Sequence, residues 1–325
     1  MKKGVVSVIV CCYNGIDFIF SCFDSLLSQT YKNIQVVFID DGSVDGSYNL
    51  ARSYESTFVS EGMSLVCLKQ ENQGVGYACA NGLLHAEGEY VSNFDIDDFL
   101  YPESIRKRIE FLDAHPDYAI VRTNGYKISK DGKRTLFVTE EREKKNENIF
   151  EDLLLGHTNN WPGSYMVRRS ALWDVYPDYK VPGSRYGQNL QILMSVAWKN
   201  KSGFIDEPLM DYNYNPKSFT NHKTDFDSSY KRIIGFWDIR KDILLALGIN
   251  NPKTHDDLKQ NYGRILLDLC ITHDKRDYFM EIYDSIAAIK NPAAIYSYYY
   301  NIYKGKEVKA FVFRVKNWFQ HHLQR

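Results

Sequence analysis

The strongest constraint on this chain's fold is an alternation in its first hundred residues, where short β-rich runs are separated by stretches with helical spacing. Val5 to Cys12 is nearly continuous in apolar residues, as a central parallel strand covered on both faces should be. Phe18 to Gln29 carries Phe18, Ile19, Cys22, Phe23, Leu26 and Leu27 at helical spacing, so it can cross over and cover one face. Ile34 to Ile39 predicts a second strand, and a helix from Asp45 or Gly46 to about Phe58 follows it. Leu65 to Leu68 predicts a third strand, Gly74 to His85 a third helix, and the run from Tyr90 a fourth strand. This order implies an α/β fold with a mostly parallel, doubly wound, Rossmann-like sheet, which binds ligands at the carboxyl ends of its strands.

Polar residues stand at those ends: Tyr13-Asn14, Asp40-Asp41, Glu71-Asn72 and Asp95-Ile96-Asp97-Asp98. Three carboxylates within four positions repel one another and raise each other's pKa, so a fold that keeps them ionised supplies a cation. Carboxylate-only ligation suits Mg²⁺ or Mn²⁺, and Mg²⁺ is commonly shared between carboxylates and a substrate's phosphates. A lone Asp here would be read as the cap of the helix that Pro102-Glu103 opens. The triple at a strand end points instead to a metal–diphosphate site. Phosphate-binding loops of the G-x-G-x-x-G and G-x-x-x-x-G-K-[ST] types are excluded, because Cys12-Tyr13-Asn14-Gly15 follows the first strand.

A formal net charge of −1 and the lack of any nucleic-acid-binding motif set nucleic acid aside. The six cysteines make no C-x-x-C pair and lie mostly in apolar stretches, the pattern of reduced thiols in a cytoplasmic protein. Met1 to Cys12 has the basic and apolar regions of a signal peptide. No small-residue cleavage site follows, and Tyr13-Asn14-Gly15 ends the run as a turn, so it is expected to be the buried first strand. No stretch approaches the ~20 consecutive apolar residues of a membrane span.

Ser7-Val8-Ile9-Val10 with Tyr13-Asn14, then Ile39-Asp40-Asp41-Gly42-Ser43-Val44-Asp45-Gly46-Ser47, Asn72-Gln73-Gly74 and Asp95-Ile96-Asp97-Asp98, resemble in order and spacing the signatures of family 2 glycosyltransferases with the GT-A fold. The resemblance covers residues 5–215. It implies that Tyr13 stacks on a nucleotide base and that Asp41 hydrogen-bonds it, with Asp40 beside it. Asn14, Asn72 and Gly74 complete the donor nucleotide site; Asp95 and Asp97 face ribose and metal, and Asp98 faces the metal and diphosphate. It further implies an Mn²⁺- or Mg²⁺-dependent, inverting transfer of sugar from a nucleotide donor, expected to be UDP-linked, to a saccharide or lipid-linked saccharide acceptor, as in cell-surface polysaccharide synthesis. Trp161-Pro162-Gly163-Ser164 resembles the acceptor-side segment, which places Trp161, Gly163 and Gln191 on that side.

The sequence departs from the family pattern at three places. Ala78-Cys79-Ala80 stands where the family often has Ala-Arg-Asn. Gln188 and Asn189 occupy the position of the Glu-Asp pair that holds the catalytic base, and amides do not accept a proton at neutral pH. Three explanations compete, in this order: another carboxylate such as Asp178, Asp206 or Asp211 serves; a phosphate oxygen or hydroxide takes the proton; or transfer is lost and a sugar-nucleotide-binding protein remains. Asn213 and Asn215 replace an Arg-x-His, with Lys217 and His222 as alternative cations over the diphosphate. A nucleotidylyltransferase would carry a Gly-rich, Arg/Lys-bearing first loop, which is absent.

The resemblance divides the chain into a GT-A domain over 1–225, with a donor half over 1–100 and an acceptor half over 101–225, and a helical region over 226–325. In the latter, Ile233, Ile234, Phe236, Trp237, Ile239, Ile243, Leu244 and Leu247 recur at a 3.6-residue period up to Gly248. Leu258 to Ile271 and Tyr278 to Ile289 predict two more amphipathic helices. Tyr296 to Tyr303, followed by Lys304, Lys306, Lys309, Arg314 and Lys316, mixes rings with bases; this suits either a packed aromatic helix or peripheral contact with the inner face of a membrane. Lys127 to Asn148 is the most polar stretch and predicts a solvated loop or hairpin on the acceptor side. No signature of oligomeric state is present.

Overall fold

The computed structural model describes residues 1–158, 161–216, 218, 225–289 and 293–304. Strand β1 (Lys2–Cys12) is buried from Val6 onward, and helix α1 (Ile16–Leu27) turns Ile19, Cys22, Phe23 and Leu26 inward. Strand β2 (Ile34–Asp40) is buried at every position.

The single helix expected from Asp45 or Gly46 to Phe58 is two helices, α2 (Ser47–Ser53) and α3 (Glu55–Ser60). Gly46 is left-handed at φ 93°, so helical geometry cannot start before Ser47. The break at Tyr54 has a packing reason: Tyr54 and Phe58 both meet the ring of Phe23 edge-to-face at 5.3 Å, and Phe38 meets it at 5.8 Å.

Strand β3 (Ser64–Lys69), helix α4 (Val75–Leu84) and strand β4 (Gly88–Asp95) complete the parallel half. Strand β5 (Phe99–Leu100), helix α5 (Ser104–Ala114), strand β6 (Tyr118–Ile128), strand β7 (Arg134–Leu136), helices α6 (Glu141–Lys145) and α7 (Phe150–Leu155), strand β8 (Tyr165–Arg168), helices α8 (Arg169–Val175) and α9 (Leu190–Ala197), and strand β9 (Lys201–Tyr212) follow. The polar stretch after Lys127 is therefore a hairpin, β6 with β7, leading into α6. Helix α5 opens at Ser104 with Glu103 at its N-cap and no side-chain cap, so neither Asp97 nor Asp98 is spent on capping it.

The sheet runs β3-β2-β1-β4-β8-β6-β9-β5, with β7 on β6. Only β5, β7 and β8 run against the other strands described, which makes it the mostly parallel α/β sheet that the alternation implies. Register then fixes the functional edge. Cys12 pairs with Asp40, Asp40 with Lys69, and Cys11 with Asp95, so the carboxyl ends of β1, β2, β3 and β4 lie side by side.

Helices α10 (Phe226–Ala246), α11 (Pro252–Thr272), α12 (Arg276–Ala287) and α13 (Ala294–Tyr303) form the C-terminal region. The chain divides into two compact units, Met1–His222 with Asp238–Ile249, and Lys223–Trp237 with Asn250–Arg325. The second has its own core of Phe226, Leu267, Cys270, Phe279, Ile286 and Tyr296. Asn251 caps α11 by accepting from Lys253 N–H at 3.0 Å, with Pro252 in the first turn. Tyr296 to Tyr303 lies in α13; Lys306, Lys309, Arg314 and Lys316 lie outside the described residues. No helix among the described residues is long and apolar enough to cross a membrane, and all six cysteines are free thiols.

Candidate active site

The aspartates at the tip of β4 form one cluster. One carboxylate oxygen from each of Asp95, Asp97 and Asp98 lies within 4.8 Å of the others. Burial, with the charge of Asp97 beside it, pushes the Asp95 carboxyl up to about 7 against the hydrogen bond it accepts from Gln188 Nε2. Burial and the charges of Asp95 and Asp97 push Asp98 well above the ordinary carboxylate range. Asp98 is 1% exposed; its Oδ1 accepts from Asn213 N–H at 2.9 Å, while its buried Oδ2 has no protein partner. Such a cluster of hard oxygen donors, with an orphaned buried oxygen, fits a divalent cation of the Mg²⁺ or Mn²⁺ type.

Asn213 and Asn215, just past β9, hold this tip in place. Asn213 Nδ2 donates to the Asp97 carbonyl at 3.0 Å, and Asn215 Nδ2 donates to Asp97 Oδ2 at 2.8 Å. The two amides at the expected Arg-x-His positions thus orient the acidic cluster. Lys217 and His222 lie outside the described residues.

At the neighbouring tips, Asp40 is fully buried, with Oδ1 accepting from Ser43 N–H at 2.8 Å and Oδ2 left without a protein partner. Asp41 closes the β3–α4 corner: Oδ1 accepts from Gln70 Nε2 and Gln73 N–H, and Oδ2 accepts from Gly74 N–H at 2.8 Å. Asn14 bridges β1 and β2, its Oδ1 accepting from Val44 N–H at 3.0 Å and its own N–H donating to Ser43 Oγ at 2.8 Å. That bridge leaves Tyr13 projecting, at 56% exposed, from the same edge. Gly42 needs its φ of +82° and its missing Cβ, which would stand 2.9 Å from the backbone nitrogen of Asn72.

The segment 183–191 forms a second wall. Gln188 is 8% exposed, its Oε1 buried and unpartnered behind the amide that donates to Asp95. Asn189 stands at the N-cap position of α9 without a side-chain cap; its Oδ1 instead accepts from Asn93 Nδ2 at 3.2 Å and from Tyr165 O–H at 3.1 Å. Gln191 is buried beside Gly76, whose absent Cβ would meet Gln191 Nε2 at 2.8 Å. Of the other carboxylates proposed as a base, Asp178 is exposed, paired with Lys180 at 3.3 Å, and held below its ordinary range by the Lys180 backbone N–H. Asp206 takes Lys144 at 2.7 Å and Asn124 Nδ2 at 2.9 Å. Asp211 accepts from Tyr101 O–H at 2.7 Å and Arg134 Nη2 at 2.8 Å, and its charge adds to those raising Asp98.

On the acceptor side, Trp161 packs between Tyr212 at 4.4 Å and Phe137 at 5.6 Å, with Lys127 Nζ 5.8 Å above its ring. Gly163 joins that segment to β4 by donating its N–H to the Asn93 carbonyl. Arg108, fully buried in α5, donates to the Gly163 carbonyl and, at 2.8 Å, to Ser104 Oγ; burial pushes its guanidinium down to about 9. Sequence reasoning missed Arg108, because a base at helical spacing reads as the solvated edge of its helix. It also missed the cluster-holding role of Asn213 and Asn215, for which the only signal was that they stand where the family usually carries Arg-x-His.

The model of glycosyl transferase family 2 matches residues 7–176, more than half of the chain. The chain belongs to glycosyltransferase family 2. An uncharacterized glycosyltransferase from Rickettsia typhi is 31% identical over 178 residues, 52% of this chain and 54% of its own length. The chain spans about half the length of such curated relatives. Glycosyltransferase GlyG of Streptococcus pneumoniae is 26% identical over 71% of this chain and 77% of its own. The crystal structure of S. aureus TarS in complex with UDP-GlcNAc matches with a TM-score of 0.60 at 18% identity, over 86% of this chain and 80% of its own. The mannosyltransferase PcManGT from Pyrobaculum calidifontis, in complex with GDP-Man and Mn²⁺, matches at 0.50 and 17%, over 92% and 84%. Both share the GT-A fold of this family 2 chain.

Proposed function

We propose that this chain is a divalent-metal-dependent, inverting glycosyltransferase that moves a sugar from a UDP-linked donor to a saccharide or lipid-linked saccharide. The carrying observation is the acidic cluster of Asp95, Asp97 and Asp98 at the carboxyl edge of the sheet, with the orphaned Asp98 oxygen. Complexes of the related folds with UDP-GlcNAc, and with GDP-Man and Mn²⁺, support a nucleotide-sugar donor and a divalent cation.

In this reading Asp97 and Asp98 hold Mn²⁺ or Mg²⁺, and Tyr13, Asp40, Asp41 and Asn72 line the donor nucleotide. A bound divalent ion would act as a Lewis acid toward the negative charge that gathers on the departing diphosphate. Asn213 and Asn215 keep the two ligand carboxylates oriented before substrate arrives, as outer-shell groups do. Gln188 and Asn189 take no proton; one supports Asp95 and the other pins Asn93 to Tyr165. Among Asp178, Asp206 and Asp211, all three paired with a cation, the base role falls best to Asp211, which is buried and pairs in register with Phe99, the residue after Asp98. The Trp161–Tyr212 rings offer the acceptor an apolar face of the kind that sugars stack on. The GT-A domain is assigned to 1–225 with a helical appendage, and the protein to the cytoplasm, peripheral to a membrane where the acceptor is lipid-linked.

The test is release of nucleoside diphosphate from UDP-, GDP- and dTDP-sugars with Mn²⁺ or Mg²⁺, run beside Asp97→Asn and matched with donor binding. Turnover lost in the variant supports a transferase and names the donor. Metal-dependent binding without turnover, acceptors included, supports the second reading, a lapsed donor-binding protein, which the two structurally engaged amides favour. No binding of any donor removes the assignment.

A further inference from the structure

Arg185 lies in the segment 183–191, which is held at both ends of the site. Its backbone packs so tightly on the start of α4 that a Cβ on Gly74 would stand 2.6 Å from the Arg185 Cα. One residue earlier, the Ser184 carbonyl accepts from Tyr77 N–H at 3.0 Å, and a Cβ on Gly76 would stand 2.4 Å from that oxygen. Three residues later Gln188 donates to Asp95. The segment therefore spans from the first turn of α4 to the acidic cluster, with the Arg185 side chain between these anchors.

That side chain is exposed, and Nη1 donates at 3.3 Å to Asn72 Oδ1, a neutral amide. Among the described residues it forms no ion pair with a carboxylate. Asn72 itself belongs to the β3–α4 corner that Asp41 closes and that Gly42 touches. An unneutralised guanidinium thus stands at the rim of the site, close to the first turn of a ten-residue helix.

The geometry points to Arg185 as the protein's own cation for the donor's diphosphate, gripping phosphate oxygens from the side opposite Asp97 and Asp98. This rests on the nucleotide-donor reading. A guanidinium matches two phosphate oxygens at once, and the single weak bond to Asn72 is readily exchanged for charge-assisted ones. Positive charge on both sides of the diphosphate would then offset the negative charge that the cluster concentrates.

The experiment compares binding of UDP with uridine, GDP with guanosine and dTDP with thymidine, by calorimetry in Mn²⁺, for the wild type, Arg185→Met and Arg185→Lys. Methionine keeps the apolar stem that packs on Gly74 and removes only the charge. The expected result is about a ten- to hundredfold loss of diphosphate affinity in Arg185→Met, unchanged nucleoside affinity, and partial recovery in Arg185→Lys. Equal losses for nucleoside and diphosphate would make Arg185 a packing residue and overturn the assignment, as would no loss for either. A wild type that binds none of the diphosphates overturns the donor reading and this assignment with it, whereas a wild type that binds them and a variant that binds equally well overturns this assignment alone.

Discussion

Replacing Gln188 by Glu restores a carboxylate at the position where family resemblance expects one, and the structure makes this costly. Gln188 is 8% exposed and donates through Nε2 to Asp95, whose carboxyl already stands near 7. The substitution removes a hydrogen bond to a charged group, worth about 1.5–3 kcal/mol. It also sets two carboxylates about 3 Å apart, a repulsion of about 5 kcal/mol at an effective dielectric of about 20. The pair escapes part of that repulsion by retaining one proton, which leaves a total cost of about 3–5 kcal/mol at pH 8. For a unit of this size each kcal/mol moves the melting temperature by about 2–4 °C. Gln188→Met is the reference, since it loses the donor but adds no charge. The hydrogen-bond loss is common to both variants, so thermal unfolding at pH 8 in a chelator should place Gln188→Glu about 3–8 °C below Gln188→Met, with the gap narrowing at pH 5.5 and on addition of Mn²⁺. A Glu variant that melts at or above the Met variant in the chelator refutes the reasoning, because the cluster would then not carry the repulsion assigned to it.

Tyr13→Ala should leave the melting temperature unchanged, because the ring is 56% exposed, yet weaken uridine binding by about 1–3 kcal/mol if the ring stacks on the base; calorimetry with uridine reads this directly. Gly74→Ala should destabilise by about 1–3 kcal/mol through its φ of +106° alone, and by more through the clash with Arg185, as denaturant titration will measure. Asp268, on α11, accepts from Tyr296 O–H at 2.9 Å, and burial raises its carboxyl. A raised acid binds its proton more tightly folded than unfolded, so its contribution is fully present below the unfolded value and is lost as pH rises through the folded one. Asp268→Asn should therefore gain on the wild type at pH 7 and lose that advantage toward pH 4, a trend that melts across this range can show or exclude.

The parallel half of the fold was legible because its signals are local. Continuous apolar runs make β1 and β2 buried strands, helical spacing makes α1 and α4, and polar residues directly after each run must emerge at one sheet edge once the strands are parallel. Hence Tyr13, Asp40, Asn72 and the aspartates at 95, 97 and 98 could be brought to one edge from the sequence alone. The tertiary structure decided what depends on partners distant in the chain. Asn213 and Asn215 reach Asp98 and Asp97 across 115 and 118 residues. Arg108 finds the Gly163 carbonyl 55 residues away. Arg185 meets Asn72 across 113. Even the local break between α2 and α3 follows from Tyr54 and Phe58 sharing the ring of Phe23. Periodicity reports which face of an element is buried; which polar group a buried or rim side chain meets there is set by packing between elements, and no pattern along the chain encodes it.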